Sequence, residues 1–238
     1  MKYAVIALCS LFLICSCKSD KKPAGNLHLT GNIKGLKTGT IYIQKIVDTA
    51  LVSIDTIVIN GDSHFESWLN VASPEMYYLS LDRGVTNSID NNLPFFAEPG
   101  VINIDTDLEQ YYYKAKITGS KNQKLYEDYK KITSRFTDQK LTITAEKLRA
   151  QRSNNITKFD SLEKAEKGVL QRKYLFATNF AINNKDHEIA PYIALSEIYD
   201  INLKYLDTIR KSMTPKVAKS FYGKKLISYY DKRKNSEK

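Results

Sequence analysis

The chain has little of the chemistry that most often announces a function. It holds three cysteines, three histidines and one tryptophan in 238 residues. The cysteines are Cys9, Cys15 and Cys17, all near the N-terminus. The rest of the chain can therefore hold no disulfide, thiolate metal site or dithiol redox pair. Six prolines and ten glycines exclude collagen-like and low-complexity chains. The one long apolar run, Tyr3 to Ile14, is shorter than a membrane-spanning helix requires, so multi-pass membrane proteins are excluded. No G-x-S-x-G, phosphate-binding loop or G-x-G-x-x-G pattern occurs. What remains is a globular composition: 42% apolar, 26% charged, formal net charge +10.

The N-terminal run has the length of a signal-peptide apolar region. Lys2 precedes it, and Ile14-Cys15-Ser16-Cys17 ends it. This ending resembles the bacterial lipobox, with an aliphatic residue three before the cysteine and a small residue just before it. The resemblance implies cleavage before Cys17 and lipidation of its sulfur. Residues 1–16 are then a lipoprotein signal peptide, and the mature chain is a membrane-anchored lipoprotein of the cell envelope, at the outer membrane. A plain secretory signal or an uncleaved anchor is the competing reading. Lys18 to Gly25 is polar, charged and bears Pro23; with Asn26 it reads as a flexible tether, residues 17–26.

From Leu27 to about Thr118 the pattern is that of strands. Leu27, Leu29 and Ile33 share a period of two, as do Ile41 and Ile43, and Ile102 and Ile104. Met76 to Leu81, Phe95 to Ala97 and Tyr112 to Ile117 read as further strands. Asn60-Gly61 after Thr56-Ile57-Val58-Ile59 predicts a hairpin, because both turn residues favour positive φ. Seven or more short antiparallel strands predict a sandwich or barrel-like β domain over residues 27–119.

From Asn122 the period changes. Leu125, Tyr129, Ile132 and Phe136 lie on one helix face behind a Ser120 N-cap. A second helix is expected from about Leu141 towards Phe180, a third over Ile189 to Tyr199 and a fourth over Leu203 to Met213. Thr214-Pro215 opens a fifth. The fold class is therefore α+β, an antiparallel β domain followed by an all-helical domain over residues 120–231. Residues 232–238 read as a frayed polar tail. The charge divides at the same place. Residues 1–119 carry 10 basic and 12 acidic side chains; residues 120–238 carry 26 and 14.

Several pieces, in order, resemble one family. They are Leu29-Thr30-Gly31-Asn32-Ile33-Lys34-Gly35-Leu36 followed by Gly39-Thr40-Ile41-Tyr42-Ile43, then Asp55-Thr56, Asn60-Gly61 with Phe65, and Pro74 before Tyr78-Leu79. Phe96-Ala97-Glu98-Pro99-Gly100 and Gly119-Ser120 with Asn122 complete the set. They are similar to domain of unknown function 4369, common in Bacteroidota lipoproteins. Many such relatives continue into a thioredoxin-like domain with thiol–disulfide chemistry. Here no Cys-x-x-Cys or Trp-Cys occurs, so that activity does not carry over.

The candidate site residues are few. His28 and His64 sit on expected strands, and His187-Glu188 lacks the second histidine of a helical zinc motif. Glu98-Pro99-Gly100 reads first as a turn, and Asp105, Asp107 and Glu109 as a solvated strand face. Tyr111-Tyr112-Tyr113 suits a half-buried strand better than a recognition surface. Residues 201–238 carry 11 basic and 3 acidic side chains, and contact with anionic headgroups and a solvated helix face remain open readings. No catalytic set, metal site, cofactor or nucleic-acid partner is expected. The site assigned is Cys17, for lipidation, with the membrane as its partner. The expected function is a non-catalytic binding or assembly module with an envelope protein partner. The alternatives are an accessory scaffold of a separate thioredoxin-like protein and a carboxylate-based enzyme.

Overall fold

A computed structural model describes residues 25–82, 84 and 89–237. Cys17, the signal segment and residues 17–24 of the tether lie outside the described residues. Eight strands precede six helices: β1 Leu27–Lys34, β2 Thr38–Val47, β3 Ala50–Asn60, β4 His64–Leu69, β5 Glu75–Asp82, β6 Asn92–Ala97, β7 Gly100–Asp107 and β8 Lys116–Thr118. The helices are α1 Lys121–Arg152, α2 Ile156–Asn183, α3 Ile189–Ser196, α4 Leu203–Ser212, α5 Pro215–Lys219 and α6 Phe221–Ser236. The α+β class and the β-then-helix order are those the sequence predicts.

The strands form two four-stranded sheets, ordered β4-β1-β7-β8 and β3-β2-β5-β6. Alternation aims Leu27, Leu29 and Ile33 of one sheet and Ile41, Ile43 and Leu79 of the other into a shared core. All pairings are antiparallel except β1 with β7, which is parallel. Asn26 is already part of the fold. Its side chain donates to Val71 O and accepts from Val71 N, both at 2.8 Å.

Some sequence expectations change. Asn60-Gly61 is a turn with Gly61 at φ 92°, yet it makes no hairpin. It carries the chain from β3 in one sheet to β4 in the other. The β2–β3 hairpin turns instead at Asp48-Thr49, with Asp48 at φ 56°. Tyr111-Tyr112-Tyr113 lies in a turn, and β8 is only three residues long. Tyr111 is buried there because its hydroxyl donates to Leu79 O at 3.0 Å across the core.

The first helix does not end near Phe136. It runs unbroken to Arg152, and the break comes at 153–155, where Asn154 takes φ 51° and the Asn155 side chain caps α2 by accepting from Lys158 N. Polar local signals thus decide the break, while Leu141 and Leu148 stay exposed on α1. The expected fifth helix splits at Ser220, whose hydroxyl caps α6. The expected frayed tail is helical through Ser236.

The helices pack on the outer face of the second sheet. Met76 and Phe96, pointing away from the sandwich core, join Tyr129, Ile193, Leu206 and Leu226 in a second core. Phe96 is fully buried and meets Tyr126, Tyr192 and Tyr222 edge-on at ring distances of 6.1, 5.2 and 6.4 Å.

Candidate functional site

Where the two halves meet, polar groups stitch the strand ends to the helix starts. The Gln123 carboxamide oxygen accepts from Phe96 N at 3.0 Å. Tyr222 Oη accepts from Met76 N at 3.0 Å, and Ser73 Oγ from Phe221 N at 3.2 Å. These contacts satisfy backbone donors at the edge of the fold that would otherwise be buried without a partner.

Beside them opens a cleft of about 620 Å³, lined by the β4–β5 and β6–β7 loops, the starts of α1 and α3, and α5. Gly119 and Ser120 lead the chain into α1 at its edge. Gly119 takes φ 95°, and a β-carbon there would stand 1.9 Å from Val101 O, so the crossing requires glycine. Ser120 accepts from Gln123 N as the N-cap.

Asn122 is the centre of the cleft's polar network. Its Oδ1 accepts from Ile189 N at 2.8 Å, which orients the side chain. Its Nδ2 then donates to Glu98 Oε2 at 2.6 Å and to Glu188 Oε2 at 3.2 Å. Glu98 Oε1 also accepts from Lys121 N at 2.5 Å. The two carboxylates therefore converge on one amide nitrogen. Glu188 is only 3% exposed. Among the described residues, no side-chain cation lies within 4.0 Å of either carboxylate. A buried carboxylate held by neutral donors alone is costly to keep.

The same cleft is lined by His187, Lys121, Lys216 and Lys219. His187 Nδ1 lies 2.9 Å from Asp186 Oδ1, and this hydrogen bond holds the Asp186 carboxyl below its usual range. The three lysines enter no ion pair among the described residues. This arrangement can receive a ligand bearing both charges, or position a polar group between two carboxylates.

The cleft gathers Glu98, Gly119, Asn122 and His187, which the sequence marks separately. It does not gather the rest. His28 stacks on Trp68 at 4.0 Å on the outer face of the first sheet, and Glu66 Oε1 lies 3.0 Å from both His28 Nε2 and Trp68 Nε1. His64 Nδ1 lies 2.7 Å from Asp62 Oδ1. Asp105 accepts from Asn103, while Asp107 accepts from Glu109 N and Gln110 N and pairs with Lys114. The Lys114 contact holds the Asp107 carboxyl below its usual range. Among the described residues no group of three or more such side chains could hold a metal. Glu98-Pro99-Gly100 forms a bend from β6 into β7 rather than a regular turn, and Glu98 has a second use in tying the β domain to α1. Sequence reasoning missed Glu188, Lys216 and Lys219. Glu188 follows a flagged histidine, but nothing local signals its burial.

The basic C-terminal residues divide by role. Arg210 pairs with Asp207 and lies over the Tyr230 ring; Arg233 donates to the Tyr199 and Ile201 carbonyls. Both arginines hold helices together. No helix among the described residues is long and apolar enough to cross a membrane.

A comparison with curated proteins finds no match. Among solved structures, the crystal structure of transthyretin from Sparus aurata is similar at 13% identity, covering 41% of this chain and 99% of that one with a TM-score of 0.30. At that score the likeness carries no argument. Residues 27–126, which hold the β domain, its exit through Gly119 and the start of α1, match the family described as Domain of unknown function (DUF4369).

Proposed function

We propose that this is a lipid-anchored protein of the cell envelope, held at the outer membrane through Cys17, and that it acts as a non-catalytic binding module with the junction cleft as its ligand site. The observation that carries the binding reading is Glu188, a buried carboxylate with no side-chain cation within 4.0 Å among the described residues, in the wall of a cleft between the β and helical halves. Ligand sites favour such interfaces, and a volume of a few hundred Å³ suits a small molecule.

The anchor rests on Ile14-Cys15-Ser16-Cys17. Cys17→Ala is expected to leave the protein unprocessed or to release it from membranes, read by fractionation and intact mass. Unchanged processing together with unchanged membrane association defeats this half of the reading. The binding half is tested on protein purified from native membranes. Small molecules released by denaturation and identified by mass spectrometry should be present in the wild type and absent from Glu188→Gln. Identical small-molecule content in the two proteins defeats it.

One observation favours a second reading, a carboxylate-based enzyme: Glu98 and Glu188 converge on Asn122 Nδ2. Turnover of a co-purified molecule that stops in both Glu98→Gln and Glu188→Gln would replace the binding reading. The link to a thioredoxin-like partner rests on the family resemblance alone. Crosslinking in native membranes tests it by recovery of such a protein.

A further inference from the structure

We propose that the junction cleft takes a small zwitterion, a free amino acid or short peptide, its ammonium against Glu188 and Glu98 and its carboxylate against Lys216 and Lys219. This rests on the reading of the cleft as the binding site. Three observations carry it, and they are independent.

The first is the unmet negative charge. Glu188 is 97% removed from solvent, yet Asn122 Nδ2 at 3.2 Å is the one hydrogen-bond donor its carboxylate has among the described residues. Glu98 receives Lys121 N and the same Asn122 nitrogen. Neutral donors offset part of the cost of burying a carboxylate; a cation with several N–H groups offsets more. A ligand ammonium has three such donors and can reach two carboxylates that already share one nitrogen. A divalent metal would need more oxygen ligands than these two side chains supply.

The second is the unmet positive charge on a different element. Lys216 and Lys219 are three apart on α5, both exposed and both lining the cleft. Residues three apart on a helix share a face. Neither lysine is in an ion pair among the described residues. Carboxylates from the β6–β7 loop and the α3 start thus meet lysines from α5 across one space. Groups of both signs lining one cleft suit a molecule with an ammonium at one end and a carboxylate at the other. A simple anion would be repelled by Glu188, and a simple amine would leave the lysines unused.

The third is rigidity. Asn122 is fixed by Ile189 N at 2.8 Å, and α5 is held by Thr214 at its start and Ser220 at its end. A site whose groups are already placed loses little conformational freedom on binding. The cleft's volume of about 620 Å³ accommodates a dipeptide.

The test uses the mature lipidated protein in detergent and the dipeptide L-alanyl-L-alanine as probe, with its N-acetylated and C-amidated forms as controls, by calorimetry. Saturable binding is expected for the free dipeptide, weakened at least tenfold by either block. Glu188→Gln should remove the penalty of N-acetylation, and Lys216→Gln/Lys219→Gln that of amidation. The lysine pair is exposed, so that variant keeps the test valid if Glu188→Gln fails to fold. Absence of saturable binding, or equal binding of all three forms, overturns the proposal. If a co-purified ligand depends on Glu188 but lacks an ammonium, the binding reading stands and the zwitterion falls.

Discussion

Asn122 and Glu188 show how little of a site a single residue announces. Asn122 reads from the sequence as part of a helix start, which it is. Its role as bridge between two carboxylates depends on where β6 ends and α3 begins in space, and no local pattern encodes that. Tyr129 makes the complementary case. The sequence places it on the buried face of α1, and it is fully buried, stacked with Phe176 at 5.7 Å and tilted against Phe180 at 5.0 Å. Its hydroxyl is a buried side-chain polar atom without a hydrogen-bond partner among the described residues. Burial accordingly pushes its phenol well above the ordinary tyrosine range. A buried donor left unmade costs about 1–3 kcal/mol. Tyr129→Phe keeps the ring and deletes the cost, so stability should rise by about 1 kcal/mol in urea titration. A loss of similar size would mean that the hydroxyl has a partner.

At the scale of elements, the sequence was most legible where periodicity met burial. Leu27, Leu29 and Ile33 on β1 and Leu125 and Tyr129 on α1 announce their faces because one side of each element is buried. It was least legible where two long-range choices compete. Asn60-Gly61 offers a hairpin, but β4 buries Phe65 and Leu69 by pairing with β1 instead, and the turn becomes a bridge between sheets. The α5–α6 junction is another such place. Thr214-Pro215 marks the start of α5, but the sequence does not show that the chain must restart at Ser220. The reason is close approach: a β-carbon on Gly223 would stand 2.0 Å from Val217 O. Gly223→Ala therefore has to push α5 away from α6, and α5 carries the two cleft lysines. Overpacking of this kind costs about 1–3 kcal/mol. Thermal unfolding should show a lower midpoint, where an ordinary helical Gly→Ala change would raise it.

The whole molecule is divided in sequence pattern and joined in packing. The sequence shows two periodicities and two charge balances meeting near Gly119, and this suggests two bodies on a boundary. The structure places Met76 and Phe96 in the same core as the helices, so the halves share apolar contacts as well as hydrogen bonds. The tyrosines at this junction make it sensitive to alkali. Burial pushes Tyr126 up to about 12, and pushes Tyr192 and Tyr222 higher still. A phenol whose pKa is raised by folding stabilises the folded state fully below its unfolded value, near 10, and less as pH rises towards the folded value. Stability should therefore hold to about pH 10 and fall between about 10 and 12. Phenolate absorbance should lag the exposed tyrosines and appear with unfolding; full phenolate at pH 10 in a folded protein would contradict this.

The shared core also decides how the chain unfolds. Trp68, the one tryptophan, sits on the first sheet, far along the chain from the helices. Its fluorescence reports the β domain, while far-ultraviolet circular dichroism is dominated by the helices. If the junction couples the halves, both signals should trace one denaturation curve. Phe96→Ala separates coupling from coincidence. The ring is fully buried against Tyr126, Tyr192 and Tyr222, and its loss should cost about 3–5 kcal/mol. Because Phe96 lies on β6 but packs among helices, the cost falls on the contact between the halves. The two curves should then move to lower denaturant and come apart, since each half keeps most of its own core. A variant whose curves shift but still coincide would mean that the halves have no separate stability, and that the change of pattern at Gly119 marks a change of secondary structure within one folding unit.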